Sequence, residues 1–248
     1  MNESDLGLKH HNYDKRNQTL DWSGSDQRAL FEQNCADPEK REKLKRLGWL
    51  EPNCITYKYN SFGFRDEEFD DRPCGIAIGC SHTEGTGLPE STTWVRVLSQ
   101  MTGTYIWNLG VGGSSADTTF RLLDHWLPQL KPKFVVCCLP DQYRVEVFDR
   151  GNPVSLVPHM QPLQLAHYYK IWATDETNAH VLKRKNLLAI QQLCDQASVP
   201  FRYEDCQELG TKDQVQWPPG GARDLMHCSV ELHAIFAQKM YENLENIC

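Results

Sequence analysis

The sequence predicts a three-layer α/β/α sandwich built on a parallel β-sheet. Two observations predict this fold: short, continuous apolar runs recur along the chain, and stretches with helical spacing separate them. A continuous apolar run of this length indicates a strand that is buried on both faces, as strands are when helices cover a parallel sheet. The chain has 248 residues, which is enough for one full-sized domain with its own core.

The predicted strands and helices alternate from residue 75 onwards. Each predicted strand is an apolar run bounded by turn residues, and these runs are 75–79, 104–109, 133–139 and 199–203. Each predicted helix places apolar residues three or four positions apart, and these stretches are 92–101, 117–130, 178–197 and 229–244. Residues 140–177 contain prolines, glycines and an aromatic cluster, and no element is predicted there.

The first part of the chain differs in composition from the rest. Residues 1–50 are polar and charged, and we expect them to form an arm packed on a domain made of residues 51–248. The stretch 25–47 has helical character. Its Lys and Arg residues at 40–46 are interleaved with Glu, which is typical of a solvated helix face rather than of a phosphate site.

Composition argues against several classes of function. The formal net charge of −7 disfavours a general nucleic-acid binder, because phosphates need a positive surface. No apolar run approaches the ~20 residues of a membrane-spanning helix. The N-terminus is polar and lacks a hydrophobic signal region, so we expect a cytoplasmic protein. The ten cysteines show no CxxC spacing and no HExxH pattern occurs, so we expect reduced thiols, no metal and no cofactor.

Polar residues follow the predicted strands at the edge where parallel sheets bind ligands. Ser81 comes directly after the first strand in a glycine-flanked turn, which suits a nucleophile held on a rigid scaffold. Asp224 and His227 are three residues apart, so the carboxylate can reach Nδ1 of the imidazole and leave Nε2 to accept a serine proton. The order of these residues predicts a Ser-His-Asp triad, although Ser81 alone is also consistent with an ordinary turn serine.

The glycine turn at 110–113 allows two interpretations. It could form an oxyanion hole, in which a glycine N–H points at a developing negative charge. It could also be part of a dinucleotide fingerprint, because Gly110 and Gly112 follow a strand and precede a helix. Ser115 stands where that fingerprint expects its third glycine.

The segments GCSHTEG, NLGVGG and DLMH, in this order, resemble the sequence blocks of the SGNH/GDSL hydrolases, which are serine esterases and acylhydrolases. The segment YNSFGFRD resembles a lead-in found in some members, and the resemblance covers about residues 57–245. It implies a flavodoxin-like α/β/α fold with Ser81 as nucleophile, His227 as general base and Asp224 as its orienting partner. It also implies an oxyanion hole formed by the N–H groups of Ser81 and Gly113.

Two positions depart from the family pattern. Cys80 stands where Asp is usual, and the third block, LPDQYR, lacks the usual Asn. Gln142 falls at the Asn position and carries a similar amide donor, so it is a candidate third donor of the oxyanion hole. Loss of one such donor typically costs ~10²–10³ in rate. The chain is therefore expected to be a weak hydrolase, a hydrolase with a rebuilt hole, or a pseudoenzyme.

Two further residues are candidate substrate contacts. Arg144 could stabilise an anion, with an ion pair to Glu146 as the alternative. His82 directly follows the serine, and we expect it in the pocket or on the surface. Aromatic residues at 167–172 and Trp217 could stack on a sugar or could belong to the core.

The sequence as a whole predicts a serine-dependent ester hydrolase that works through an acyl-enzyme. The expected partner is a small-molecule or carbohydrate ester, with acetyl esters as one candidate class. A non-catalytic binding module on the same fold is the alternative, and nucleotide binding at the glycine turn is a third. Viral members of the family carry a similar GVGGSS turn, so a viral source, with the protein in the virion or host cytoplasm, is a further expectation.

Overall fold

The computed structural model describes residues 7–51, 54–157, 163–173, 175–206 and 220–245, excepting the side chains of 163–165. In chain order, its strands are β1 (Thr19–Leu20), β2 (Tyr57–Lys58), β3 (Cys74–Gly79), β4 (Tyr105–Gly110), β5 (Val135–Leu139), β6 (Val145–Asp149), β7 (Asn152–Leu156) and β8 (Phe201–Asp205). Its α-helices are α1 (Arg28–Ala36), α2 (Pro38–Arg46), α3 (Ser81–Glu84), α4 (Trp94–Thr102), α5 (Ala116–Leu130), α6 (Leu163–Ala173), α7 (Glu176–Gln196) and α8 (Val230–Glu245).

A four-stranded parallel sheet in the order β4–β3–β5–β8 forms the centre of the fold. Side chains on alternate positions of β3 enter different cores, as the two-residue period of a strand requires. Ile76 and Ile78 pack in the core that contains residues of α5 and α7, whereas Ala77 packs in the core that contains residues of α4 and α8. The predicted three-layer α/β/α sandwich with a parallel sheet is confirmed.

The four strands of the sheet are the four that the apolar runs predict. Every residue of β3 and β5 is buried, which explains why their sequences are continuously apolar rather than alternating. The four predicted helices correspond to α4, α5, α7 and α8. Among the described helices, none is both long enough and apolar enough to cross a membrane.

The helical stretch predicted at 25–47 is divided into two helices. Asp37 ends α1 and caps α2 with its carboxylate, which accepts the backbone N–H groups of Glu39 and Lys40. Pro38 occupies the first position of α2, where its missing N–H costs nothing. The Asp-Pro pair therefore interrupts the helix.

The stretch 140–177, for which the sequence predicts no element, contains a β-hairpin, β6–β7, and helix α6. Arg150 and Gly151 connect the two strands of the hairpin, and both have positive φ, at 48° and 78°. Two such residues match the type I′ turn that the twist of a two-stranded hairpin favours. The hairpin follows directly from the carboxyl end of β5 and so lies beside the site.

The register of the sheet brings three strand ends together. Gly79, the last residue of β3, pairs with Gly110 on one side and with Cys138 on the other. The segments that leave these strands therefore start from one edge of the sheet. Gly110 is required here, because a Cβ at this position would lie 2.4 Å from the backbone nitrogen of Glu84.

Candidate active site

Ser81 is the first residue of the short helix α3, directly beyond β3. Its Oγ lies 2.8 Å from Nε2 of His227. The side chain is not sealed in the core, because it contributes to the wall of an open cavity. The backbone N–H groups of Thr83 and Glu84 bind the carbonyl of Cys80, which holds the turn that presents the serine.

The loop that precedes α8 supplies His227 and Asp224. Nδ1 of His227 lies 2.7 Å from Oδ2 of Asp224, while Oδ1 of this carboxylate accepts the backbone N–H groups of Met226 and His227 at 2.9 and 3.0 Å. The carboxylate fixes the tautomer with the proton on Nδ1, so Nε2 is left as the acceptor for the serine hydroxyl. The three residues predicted as a triad thus form one continuous hydrogen-bond chain.

Asp224 is buried and ionised. Burial opposes the charged form, but hydrogen bonds from His227, Ser25 and the Met226 N–H outweigh it and lower the pKa of Asp224 below its usual value. The carboxylate therefore keeps its charge when His227 becomes an imidazolium, which is the condition for stabilising that cation.

Ser25 is a site residue that the sequence patterns do not reveal. Its Oγ donates a hydrogen bond to Oδ2 of Asp224 at 2.7 Å and lies 3.4 Å from Nδ1 of His227. Ser25 belongs to the polar N-terminal segment and is 199 positions from its partner Asp224. A contact of this kind has no local spacing signal, and the nearest hint in the sequence is the turn-forming run Ser23-Gly24-Ser25-Asp26.

The N-terminal segment also anchors the loop that carries Asp224 and His227. Arg223 donates from Nε and Nη2 to the carboxylate of Asp26, with the shortest contact at 2.6 Å, and both side chains are almost completely buried. Asp26 also accepts the hydroxyl of Tyr57 at 2.6 Å. Farther along, Nε1 of Trp49 donates to the carbonyl of Gly221 at 2.8 Å. These contacts hold the residues that directly precede Asp224.

The glycine turn after β4 is held by Glu84. Its buried carboxylate accepts the N–H of Gly112 at 2.7 Å, the hydroxyl of Tyr59 at 2.6 Å and the side-chain amide of Asn12 at 3.1 Å. Gly113, the next residue, has a φ of +76° and open space where a Cβ would stand. The turn is therefore fixed at Gly112, and Gly113 lines the cavity together with Ser81.

Of the three residues predicted to form an oxyanion hole, Ser81 and Gly113 line the cavity and Gln142 does not. In the part of the chain that the structure describes, no hydrogen bond occupies the N–H of Ser81 or of Gly113. Gln142 lies in the turn after β5 and is not among the residues that line the cavity. Ser115, which interrupts the dinucleotide pattern, caps α5 by accepting the N–H of Thr118.

Arg144 lines the same cavity. Its alternative partner Glu146 is instead paired with Arg121 at 2.7 Å, so the predicted alternative of an Arg144–Glu146 ion pair is wrong. The Arg144 guanidinium lies beside the thiol of Cys80. Burial raises the pKa of that thiol, which therefore stays neutral.

His82 also lines the cavity, and its ring centroid lies 5.0 Å from that of His227. Its Nδ1 lies 3.4 Å from the Sγ of Cys228. Burial, followed by the proximity of His227, holds the pKa of His82 well below its usual value, so this ring is a neutral donor or acceptor.

The cavity in front of Ser81 has a volume of about 490 Å³. Its walls come from the N-terminal segment, α3, the glycine turn, the β6–β7 hairpin and the loop before α8, and the lining residues are His11, Gly24, Ser25, Ser81, His82, Thr86, Gly112, Gly113, Arg144, Ser155, Val157, Met226 and His227. Trp217, a candidate sugar contact, lies outside the described residues. Over those residues, no group of three or more His, Cys, Asp or Glu side chains could hold a metal ion.

No protein-family model matches the chain, and no curated protein matches it. Among solved structures, it is similar to the psychrotrophic esterase EstA from Pseudoalteromonas sp., with 13% identity over 71% of this chain and 98% of that chain and a TM-score of 0.39. A protein described as lipolytic and of the G-D-S-L family, from Desulfitobacterium hafniense, is 14% identical over 68% and 98%, with a TM-score of 0.38. The acetyl xylan esterase AlAXEase is 13% identical over 68% and 98%, with a TM-score of 0.37. Identities and TM-scores this low leave the chain's own geometry to carry every functional conclusion.

Proposed function

We propose that this protein is a serine-dependent ester hydrolase of the SGNH/GDSL kind. One observation carries the proposal: Ser81, His227 and Asp224 form a hydrogen-bond chain with links of 2.8 and 2.7 Å, and this chain ends at an open cavity. A nucleophile, a base and an orienting carboxylate at these distances are the parts that acyl transfer needs.

The reaction has two halves. In the first, Oγ of Ser81 attacks the ester carbonyl carbon, and the hydroxyl proton passes to Nε2 of His227. The tetrahedral oxyanion accepts hydrogen bonds from the N–H groups of Ser81 and Gly113. When the bond to the alcohol oxygen breaks, His227 returns the proton to that oxygen and the alcohol leaves.

The second half repeats this chemistry with water. A water molecule attacks the acyl carbon of the Ser81 ester and gives a proton to His227. The bond to Oγ then breaks, Oγ recovers the proton, and a carboxylic acid is released. Asp224 keeps its charge throughout and stabilises the imidazolium in both halves.

The substrate we propose is a small ester, with acetyl esters of carbohydrates as the first class to test. A cavity of about 490 Å³ is within the range of pockets that hold small organic ligands. A panel of para-nitrophenyl esters of increasing acyl length, together with acetyl xylan, covers the acyl and alcohol sides of this choice.

Wild-type protein should hydrolyse at least one member of the panel, and Ser81→Ala should lose about 10³- to 10⁶-fold of that rate. Ser61→Ala is the matched control, because its hydroxyl binds Glu68 at the surface. Equal rates for wild type and Ser81→Ala would remove the catalytic assignment.

A non-catalytic binding module is the second candidate, and the neutral Cys80 and the missing oxyanion Asn favour it. The 2.8 Å contact between Ser81 and His227 counts against it, because a module without catalysis has no need of that alignment. Nucleotide binding is disfavoured by Glu84, whose carboxylate occupies the N–H of Gly112 where a phosphate would sit. A protein that binds panel esters at the cavity without turnover would establish the binding module.

A further inference from the structure

We infer that Arg144 forms an anion subsite beside Ser81, and that the ester this protein cleaves carries a carboxylate or a similar anionic oxygen group. This inference rests on the proposed hydrolase function and names its substrate class. It starts from the position of Arg144, which lines the cavity together with Ser81 and His82.

The Arg144 guanidinium forms no ion pair with a carboxylate of the described residues. Across the same part of the chain, its Nη1 is buried without a hydrogen-bond partner. Glu146, two residues away, is committed to Arg121 and to the hydroxyl of Thr118. Burial of a guanidinium is costly unless an anion compensates it. A substrate anion in the cavity would supply that compensation.

Arg144 is within electrostatic reach of the Asp141 carboxylate, but no ion pair joins these two side chains in the described part of the chain. Cys80, which lies beside Arg144, is a completely buried thiol that burial keeps neutral. Among the described residues that line the cavity there is no Asp or Glu, and the carboxylate of Asp224 is covered by His227 and Ser25. A neutral residue at position 80 therefore leaves the cation available to a ligand.

The oxyanion of the reaction does not need this charge. The N–H groups of Ser81 and Gly113 are both without a hydrogen bond among the described residues and can serve the oxyanion as a pair. Arg144 is then left for a second, permanent negative charge on the substrate. An oxyanion role and a subsite role make different predictions, because only the subsite distinguishes charged from neutral substrates.

The test compares two esters that differ only in charge, meta-acetoxybenzoate and the neutral meta-acetoxybenzamide. Binding is measured by calorimetry on Ser81→Ala, which holds the esters without cleaving them. The benzoate should bind about ten- to hundredfold more tightly than the amide, as for a hydrogen bond to a charged group. Adding Arg144→Gln to this variant should abolish the difference, and Arg144→Lys should keep part of it because the charge remains.

Hydrolysis by otherwise wild-type protein gives the second readout, as the ratio of kcat/KM for the two esters. Arg144→Gln should bring the ratio close to one, whereas Arg150→Gln, an exposed arginine at the hairpin turn, should leave it unchanged. Circular dichroism and Tm show whether Arg144→Gln has folded. If it has not, the ratio of kcat/KM for the two esters is measured on Arg144→Lys, which should keep part of the preference for the benzoate.

The outcomes separate this proposal from the proposed function. Equal binding of the two esters, no binding of either, or an equal loss of both rates in Arg144→Gln would overturn the subsite and leave the hydrolase intact. If the protein binds the benzoate more tightly than the amide, and this preference depends on Arg144, the subsite is supported. If the same protein shows no Ser81-dependent cleavage of any ester, the hydrolase function is overturned.

Discussion

The two halves of the candidate site are held in different ways. Ser81, Glu84 and the glycine turn lie at the ends of adjacent strands, and the hydrogen bond that fixes the Gly112 turn to Glu84 joins residues 28 positions apart. The loop with Asp224 and His227 is held by Ser25, Asp26 and Trp49, whose contacts span 172 to 199 positions. The sheet thus positions the nucleophile, whereas residues 25–49 of the N-terminal segment position the base.

This difference gives the polar N-terminal segment a structural part in the site. Ser25 contacts the carboxylate of Asp224, and Asp26 neutralises Arg223 at its side. We therefore expect changes at Ser25 and Asp26 to affect the base half before the serine half.

The largest effect is expected for Asp26→Ala. This change leaves the buried guanidinium of Arg223 without its carboxylate and removes the acceptor of the Tyr57 hydroxyl. A broken buried pair of this kind costs about 3–5 kcal/mol of unfolding free energy. Denaturant unfolding measures the loss.

Asp70→Ala is the matched control for that experiment, because Asp70 pairs with Arg72 at the surface. It should leave stability almost unchanged, since exposed ion pairs contribute little. If the two variants are equally stable, the N-terminal segment does not anchor the loop through Asp26.

Acid should destabilise the protein through two buried neutral histidines, one in the N-terminal segment and one in α8. Burial lowers the pKa of His10, in the N-terminal segment, to about 3, and it lowers the pKa of His233 to about 3 as well. His233 lies in α8 and accepts the backbone N–H of Trp94, the first residue of α4. Both pKa values lie below those of the unfolded chain, so the unfolded state binds more protons between pH 6.5 and 3. The unfolding free energy should therefore fall as the pH is lowered through this window, by on the order of 1–2 kcal/mol per histidine at pH 5.

Hydrogen exchange at pH 7 and pH 5 checks this prediction and distinguishes the two regions. His10→Asn should reduce the acid sensitivity of amides near the N-terminal segment, and it should not change that of α4 and α8. Acid sensitivity that is the same in His10→Asn and wild type would contradict the account of His10.

The smallest effect is expected for Ser25→Ala. The Ser25 hydroxyl helps to lower the pKa of Asp224, so its removal should raise that pKa and let the carboxylate be protonated at a higher pH. The carboxylate is then also held by one donor fewer against Nδ1 of His227, so kcat/KM should fall by about tenfold or less. Steady-state rates of Ser25→Ala beside Ser61→Ala make the measurement, and equal rates in the two variants would show that Ser25 does not act on Asp224.

The sequence predicts the sheet well because each of its strands is a local signal. The runs at 75–79 and 133–139 need no distant information, since a strand buried on both faces is apolar at every position. The division of the N-terminal helical stretch at Asp37 and Pro38 also has a local signal, because a proline cannot continue a helix and favours the first position of a new one.

Other parts of the site have no such signal. The hairpin β6–β7 is marked only by the pair Arg150-Gly151, because an arginine is an unusual residue for positive φ. Ser25 and Asp26 act through contacts with residues nearly 200 positions away, which no spacing rule reaches. Arg144 is a candidate from the sequence, but only the structure shows that Glu146 pairs with Arg121 instead of with Arg144.

Labelling with a fluorophosphonate tests the central claim most directly, because this reagent reacts with a serine that a neighbouring base activates. We expect one adduct, located on Ser81 by peptide mass spectrometry, which is absent in Ser81→Ala and forms much more slowly in His227→Ala. An adduct on another residue, or no adduct on folded wild-type protein, would contradict this claim.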